Sequence, residues 1–187
     1  MQDLIYEPCL KVKTPHKLEE LKLEYLAYVQ PSADHLIIQM TDPDKTLSVS
    51  LHYQVIPELD LIVRWLELQN TGSCEIVFEN LFSASWSFPR VRDYRLTRLS
   101  GKWGQEYIVN REAVQSGERV FESRTGLSGH QHVPFFAVDD GNATEESGTV
   151  RFGTLLWSGN WKFIAELDQF KEFRITGGLN NFDFELG

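Results

Sequence analysis

Residues Thr149 to Leu186 run T-V-R-F-G-T-L-L-W-S-G-N-W-K-F-I-A-E-L-D-Q-F-K-E-F-R-I-T-G-G-L-N-N-F-D-F-E-L, and this stretch decides the fold class. Alternating positions share a face here, which is the period of a β-strand. Three such runs follow one another, at 150–156, 161–168 and 172–176. The cluster Ser158-Gly159-Asn160 forms a turn after the first run, and Gly177-Gly178 is expected to break or bulge the chain after the third. The stretch predicts an antiparallel meander, with both faces covered near its turns.

Short strands of the same kind recur along the rest of the chain. The clearest covers Leu47 to Ile56, where apolar residues alternate with polar ones. Leu18 to Val29 is ambiguous, because its composition favours a helix while its alternation also fits a strand. Strands separated by roughly eight to twelve residues are typical of sandwiches and barrels. Since no internal repeat or linker interrupts the pattern, the sequence predicts one all-β domain over residues 1–187, an antiparallel β-sandwich.

Composition excludes several classes of partner. The 187 residues are 42% hydrophobic and 12% aromatic, with a formal net charge of −9. A nucleic-acid partner is not expected, because binding phosphates requires clustered Lys and Arg. No run is long enough to span a membrane, and the N-terminus does not resemble a secretory signal, so a cytoplasmic location is expected. Cys9 and Cys74 permit one disulfide but require none, and their spacing matches no zinc site.

Trp103 is the strongest candidate for contact with a ligand. It lies in L-S-G-K-W-G-Q-E, where Gly101 and Gly104 allow a tight backbone turn from which a large side chain can project. The face of an indole packs well against the apolar C–H face of a pyranose ring, and its N–H can still donate a hydrogen bond. From the residues alone, the opposite interpretation stands beside this one, in which Trp103 closes one end of the sandwich.

Carboxylates in the second half of the chain suggest no catalytic pair. A glycosidase needs two carboxyl groups with different pKa values. Asp139-Asp140 and Glu145-Glu146 are adjacent pairs in a polar loop, so we expect them to form a solvated tip. Asp168 and Asp183 are more consistent with capping turns or with pairing to Arg151 or Arg174.

His130 and His132 lie two residues apart and could face the same way on a strand, where they could bind a metal. No Asp or Glu lies within four residues of the pair. We therefore expect a structural role, in which the imidazoles bond to backbone groups, and no metal site. Ser128 is near His130 only in sequence, and no motif for serine, phosphate or dinucleotide chemistry is present.

Several motifs resemble those of a known family, the N-terminal domain of family 36 glycoside hydrolases, which are microbial α-galactosidases. The similarity is strongest in three segments: L-S-G-K-W-G-Q-E at 99–106, S-R-T-G-L-S-G-H-Q-H-V-P-F-F at 123–136, and the stretch from W-S-G-N-W at 157–161 to G-G-L-N-N-F-D-F at 177–184. The resemblance implies a large supersandwich of the galactose-mutarotase type, and it favours a strand over 18–29. Val133 stands where the family usually has Asn, so any contact made by that Asn is absent here.

The resemblance also implies a function. Family members are retaining enzymes that act on galactosides of the melibiose and raffinose type by double displacement, without a cofactor. Their catalytic aspartates lie in a (β/α)8 barrel that follows this domain. The chain alone is therefore expected to be inactive, to contribute no catalytic residue, and to supply Trp103 as a substrate-binding residue in a galactose pocket completed elsewhere. Assembly as a homo-oligomer is a further expectation.

Two rival functions remain open at this stage. The chain could be an independent carbohydrate-binding module, with Trp103, Trp157 and Trp161 as an exposed aromatic platform. Alternatively, it could be a structural domain that acts only in assembly.

Overall fold

The computed structural model describes residues 6–13, 21–180 and 184–186. These residues form antiparallel strands joined by turns, with one 3₁₀ turn at Pro57–Leu59. The predicted all-β antiparallel sandwich is confirmed. In the part of the chain that the structure describes, no helix is long and apolar enough to cross a membrane.

The strands of the first half are β1 Leu10–Lys13, β2 Glu24–Ser32, β3 His35–Thr41, β4 Leu47–Ile56, β5 Leu61–Asn70 and β6 Ile76–Phe88. Those of the second half are β7 Arg95–Lys102, β8 Gln105–Ala113, β9 Gly117–Ser123, β10 His132–Asp139, β11 Val150–Thr154, β12 Trp161–Leu167, β13 Phe173–Leu179 and β14 Phe184–Leu186. The strand interpretation of the ambiguous segment at 18–29 is confirmed from Glu24 onward, where β2 begins, whereas residues 21–23 precede the strand. Its residues 18–20 lie outside the described residues.

The described residues divide into two compact units, with the boundary inside β6 after Ala84. The prediction of a single domain over residues 1–187 is not decided by this division and stays a prediction. The unit formed by residues 8–13, 21–84 and 184–186 contains the four-stranded sheet β2-β3-β4-β5. Its core is built from Leu47, Val49 and Phe78 with Val12 and Ile76, so the predicted apolar face of β4 is buried at the start of the strand, whereas Val55 near its end is exposed.

The other unit, residues 6–7 and 85–180, is a sandwich with a strongly aromatic core. One of its sheets has the order β11-β10-β7-β8, and β12 pairs with both β9 and β13 in the other. Side chains from both sheets meet in the core, which consists of Tyr94, Leu96, Phe121, Phe136, Val138, Trp161, Phe163, Ala165, Leu167, Phe173 and Ile175. The face of β12 predicted from alternation, residues 161, 163, 165 and 167, is the buried face.

Two expectations for the C-terminal stretch are wrong. The first run, β11, does not join a meander with β12, because it pairs with β10 and lies exposed at the edge of the other sheet. The connection 155–160 is long enough to change sheets, and the Leu155 N–H donates to the Pro134 carbonyl at 3.0 Å, which holds its start beside β10. Gly177-Gly178 does not interrupt β13 either, since both residues pair in unbroken register with β12.

Gly177 is needed in β13 for a packing reason. A Cβ atom at this position would come within 2.1 Å of Cδ1 of Phe163, the residue paired with it on β12. The absence of a side chain therefore lets the Phe163 ring approach the backbone of the neighbouring strand closely.

Tyr6 ties the first described residues to β13 and to the turn before it. Its hydroxyl donates to Asp168 Oδ2 at 3.2 Å and to Glu172 Oε2 at 3.3 Å, and the Arg174 guanidinium lies 3.8 Å from its ring centroid. Burial, followed by the two carboxylates, raises the pKa of Tyr6 to about 12. The phenol therefore resists ionisation in the folded chain.

This shift predicts a stability loss at high pH. An unfolded tyrosine ionises near pH 10, so the contribution of Tyr6 is complete below that pH and disappears as the pH rises through about 12. The free energy of unfolding of the wild type should fall more than that of Tyr6→Phe between these values. Urea denaturation of both at pH 8 and pH 11 measures the difference, because all other titrating groups are shared. An equal fall in the free energy of unfolding of both proteins would contradict the raised pKa of Tyr6.

Candidate functional site

The β7–β8 hairpin carries the candidate ligand-binding tryptophan at its tip. Lys102 pairs with Gln105, and Trp103 and Gly104 form the turn between them. Gly104 has φ of +76°, a conformation that a residue with a Cβ adopts only with strain. The Trp103 side chain is 89% exposed, so it does not close the end of the sandwich, and that interpretation is wrong.

A β-bulge shapes the hairpin just below the tip. The register shifts between Ser100, which pairs with Ile108, and Lys102, which pairs with Gln105. Gly101 faces the extra residue, and a Cβ on it would come within 2.5 Å of the Gln105 carbonyl oxygen and 2.9 Å of Glu106 Cα. Gly101, the first glycine of the motif, therefore permits close contact between the two strands.

The carboxylate of Glu106 stabilises the turn by a hydrogen bond. Its Oε1 accepts the Gly104 N–H at 2.8 Å. This hydrogen bond lowers the pKa of the Glu106 carboxyl, and the charge of His130 acts in the same direction. The Gly101 N–H donates to the Gln131 carbonyl at 3.4 Å, which holds the hairpin against the turn at 129–132. The Trp103 turn is therefore fixed by contacts that do not involve the indole itself.

Asp139 anchors the base of the hairpin, and its prediction as part of a solvated tip is wrong. The residue is 4% exposed, and its carboxylate accepts from Arg95 Nε at 3.2 Å and from Arg111 Nη2 at 2.7 Å. Arg95 and Arg111 also donate to the Ala143 carbonyl, which closes the loop that follows β10. Burial alone raises the pKa of Asp139, but the hydrogen bonds from Arg111 and the Gly141 N–H, together with both arginine charges, outweigh it and lower the pKa.

The remaining carboxylates of the sequence prediction are not brought together in a pair. Asp140, Glu145 and Glu146 are exposed, as predicted. Asp168 caps the turn before β13, since its Oδ1 accepts the N–H groups of Phe170 and Glu172, which confirms the capping interpretation. Arg174 pairs with Glu166 instead. Asp183 lies outside the described residues.

The two histidines do not share the face of one strand. His130 lies in a turn, whereas His132 is the first residue of β10. Within residues 6–13, 21–180 and 184–186, no three His, Cys, Asp or Glu side chains form a group that could hold a metal ion. The expected hydrogen bonds from these imidazoles to the backbone stay a prediction.

Ser128 Oγ donates to the Trp157 and Gly159 carbonyls, so its role is in the turn. Both cysteines are in the thiol form.

The predicted platform of three exposed tryptophans is wrong for Trp161. Trp161 is 1% exposed and belongs to the core, because the strand it begins turns this residue inward. Trp157 is 46% exposed, and its Nε1 donates to the Asn160 carbonyl at 3.1 Å. Its indole lies against Gly159, where a Cβ atom would come within 2.6 Å of Nε1. Of the three, Trp103 is the one that projects freely.

Comparison with known proteins assigns the family. Residues 2–187 match the model of the glycosyl hydrolase family 36 N-terminal domain. The chain belongs to this family. The recognition made from the three segments is therefore confirmed, and this family 36 N-terminal domain is a β-sandwich as the resemblance implied.

Relatives of this family 36 N-terminal domain are much longer proteins. The α-galactosidase AgaA of Geobacillus stearothermophilus is 34% identical over 97% of the chain, which covers 25% of that protein. Its crystal structure superposes with a TM-score of 0.90 and 28% identity, over 97% of this chain and 28% of that one. The α-galactosidase Mel36A of Lactobacillus acidophilus is 31% identical over 82% of the chain and 21% of its own length. The chain thus spans about a quarter of the length of the relatives it matches.

Sequence reasoning missed one residue of the hairpin. Tyr107 is 60% exposed and has φ of +57°, a left-handed conformation that is rare for an aromatic residue. The residues on either side of Tyr107 give no sign of this conformation. The available signal was Gly101, because a glycine inside one arm of a hairpin marks a bulge opposite.

Proposed function

We propose that the chain is the N-terminal β-sandwich of an α-galactosidase, and that its β7–β8 hairpin supplies Trp103 to the substrate pocket. The chemistry of a retaining glycosidase would be carried out by two carboxylates in another part of the longer enzyme. Assembly as a homo-oligomer and a cytoplasmic location are parts of the same proposal.

The exposure of Trp103 is the observation that supports this role best. An indole that is 89% exposed makes almost no packing contribution to its own domain, yet its turn is held by Gly104, Glu106 and the bulge at Gly101. An exposed aromatic side chain on a turn of fixed backbone is suited to stack on the C–H face of galactose, because the turn does not have to become ordered on binding. The Geobacillus stearothermophilus relative has been solved as a variant in complex with raffinose, and that trisaccharide is the substrate we propose to test.

Substitution of Trp103 tests the proposal. In the full-length enzyme that contains this chain, Trp103→Ala should lower kcat/KM for raffinose by about tenfold, since an aromatic stacking contact stabilises by roughly 0.5–1.5 kcal/mol beyond its area. Trp103→Phe should retain most of the activity. The melting temperature should not change for either variant, because the indole packs on nothing in the core. An unchanged kcat/KM in Trp103→Ala would refute the role in the pocket.

Titration of the 187-residue chain with raffinose separates this function from that of an independent carbohydrate-binding module. The incomplete pocket should bind too weakly to measure at millimolar concentrations, whereas a module should bind in that range. Millimolar binding that depends on Trp103 would favour the module.

A further inference from the structure

We infer that Tyr107 is a second substrate-contacting residue of the β7–β8 hairpin, one that acts on the part of an oligosaccharide beyond the galactose ring. The inference rests on the proposed function, which places Trp103 in the pocket. It starts from the backbone of Tyr107, which has φ of +57° although the residue is aromatic.

The left-handed conformation has an energetic consequence. Outside glycine and asparagine this conformation is unfavourable, so the residue must be held there by its surroundings. The β-bulge provides these surroundings. Gly101 lies so close across the hairpin that a Cβ atom on it would be 3.0 Å from the Tyr107 backbone nitrogen. Strain of this kind is concentrated at binding and catalytic sites, where it positions a side chain.

The Tyr107 ring has no role in the core that would explain this strain. It is 60% exposed, and β8 is the edge strand of its sheet. An asparagine would adopt the same backbone conformation more easily and would leave the bulge unchanged. What tyrosine adds is an exposed ring with a hydroxyl, which is the combination that stacks on a sugar and bonds to its hydroxyl groups.

The position of Tyr107 relative to the tip indicates which part of a ligand it contacts. Two strand steps separate it from Gln105, the first residue after the turn, or about 7 Å along β8. We therefore place the contact of Tyr107 on a ligand unit next to the ring that stacks on Trp103. A β-bulge can re-aim a side chain away from the regular alternation of its strand, and the register shift lies directly opposite Tyr107. A neutral oligosaccharide with a terminal α-galactose, longer than one unit, fits this arrangement.

The experiment compares Tyr107→Asn with the wild type and Tyr107→Phe in the full-length enzyme. Raffinose and 4-nitrophenyl α-galactoside serve as the long and short substrates. We expect Tyr107→Asn to lower kcat/KM for raffinose about fivefold, mainly through KM, and to change the value for the aryl galactoside less than twofold. Its melting temperature should equal or exceed that of the wild type, because asparagine relieves the strain. Tyr107→Phe should keep most of the selectivity for raffinose.

Each result bears on one of the two claims. If Trp103→Ala lowers activity but Tyr107→Asn leaves the ratio between the two substrates unchanged, the role of Tyr107 is refuted and the proposed function stands. A lower melting temperature with equal losses on both substrates would assign Tyr107 a structural role and also refute the inference. If the enzyme hydrolyses neither substrate, the proposed function fails and the inference fails with it.

Discussion

Gly177→Ala is expected to destabilise the chain by about 2–3 kcal/mol, near the upper end of the usual penalty for overpacking a core. The new methyl group would lie 2.1 Å from Cδ1 and 2.4 Å from Cε1 of Phe163. The Phe163 ring is 1% exposed and contacts the rings of Phe121, Phe136 and Trp161, so moving it would disturb the aromatic core. Chemical denaturation would measure the loss, and the melting temperature should fall by roughly 5–10 °C.

Two further variants make the result specific to this contact. Gly129→Ala is the matched control, since a Cβ at Gly129 meets no atom within 4 Å and its φ is not positive. Its free energy of unfolding should stay within about 0.5 kcal/mol of the wild type. Combining Gly177→Ala with Phe163→Leu should cost less than the sum of the two single substitutions, because the smaller side chain makes room for the methyl group. Strict additivity would show that the two residues do not interfere.

Asp139→Ala should destabilise the chain by about 2–3 kcal/mol. The substitution removes a carboxylate whose side chain is only 3% exposed and leaves Arg95 and Arg111 facing an apolar methyl group. Both arginines are about one-third exposed, so water can solvate them in part, which keeps the loss below that of a fully buried pair. Asp140→Ala is the neighbouring control, because Asp140 is exposed and should tolerate the change. Equal effects of the two substitutions would refute the role of Asp139 as an anchor.

Acid denaturation gives an independent test of the same carboxylate. The folded chain lowers the pKa of Asp139, so its stabilising contribution is present above the unfolded pKa, near 3.9, and is lost as the pH falls through the folded value. Asp139→Asn lacks this contribution at every pH. The difference in stability between wild type and Asp139→Asn should therefore be largest near neutral pH and should narrow below about pH 4.

The strands could be predicted because their signals are local. The alternation of Leu47 to Ile56 lies within one segment of ten residues and needs no knowledge of its partner. The projection of Trp103 also has a local signal, because the glycines on either side of it indicate a tight turn. The family motifs predicted the type of sandwich and the proposed function, neither of which follows from the alternation of apolar and polar residues.

Several of the missed features depend on residues in another strand. Asp139 is buried by arginines 44 and 28 residues before it, so its own polar neighbours wrongly predicted a solvated loop. The pair Gly177-Gly178 indicates a break when only its own segment is considered, whereas the contact with Phe163 on another strand explains why glycine stands there. The backbone of Tyr107 depends in the same way on Gly101 across the hairpin.

The Asp139 anchor also determines where this chain can change in length. Both arginines hold the foot of the loop after β10, through Asp139 and the Ala143 carbonyl. Beyond that point the tip closes on itself, with the Thr144 N–H donating to the Ser147 carbonyl at 2.8 Å. Since loop closure depends only weakly on length, extra residues between Glu145 and Glu146 would leave the sheets in place. That tip is therefore a suitable position for an inserted peptide tag or a reporter domain.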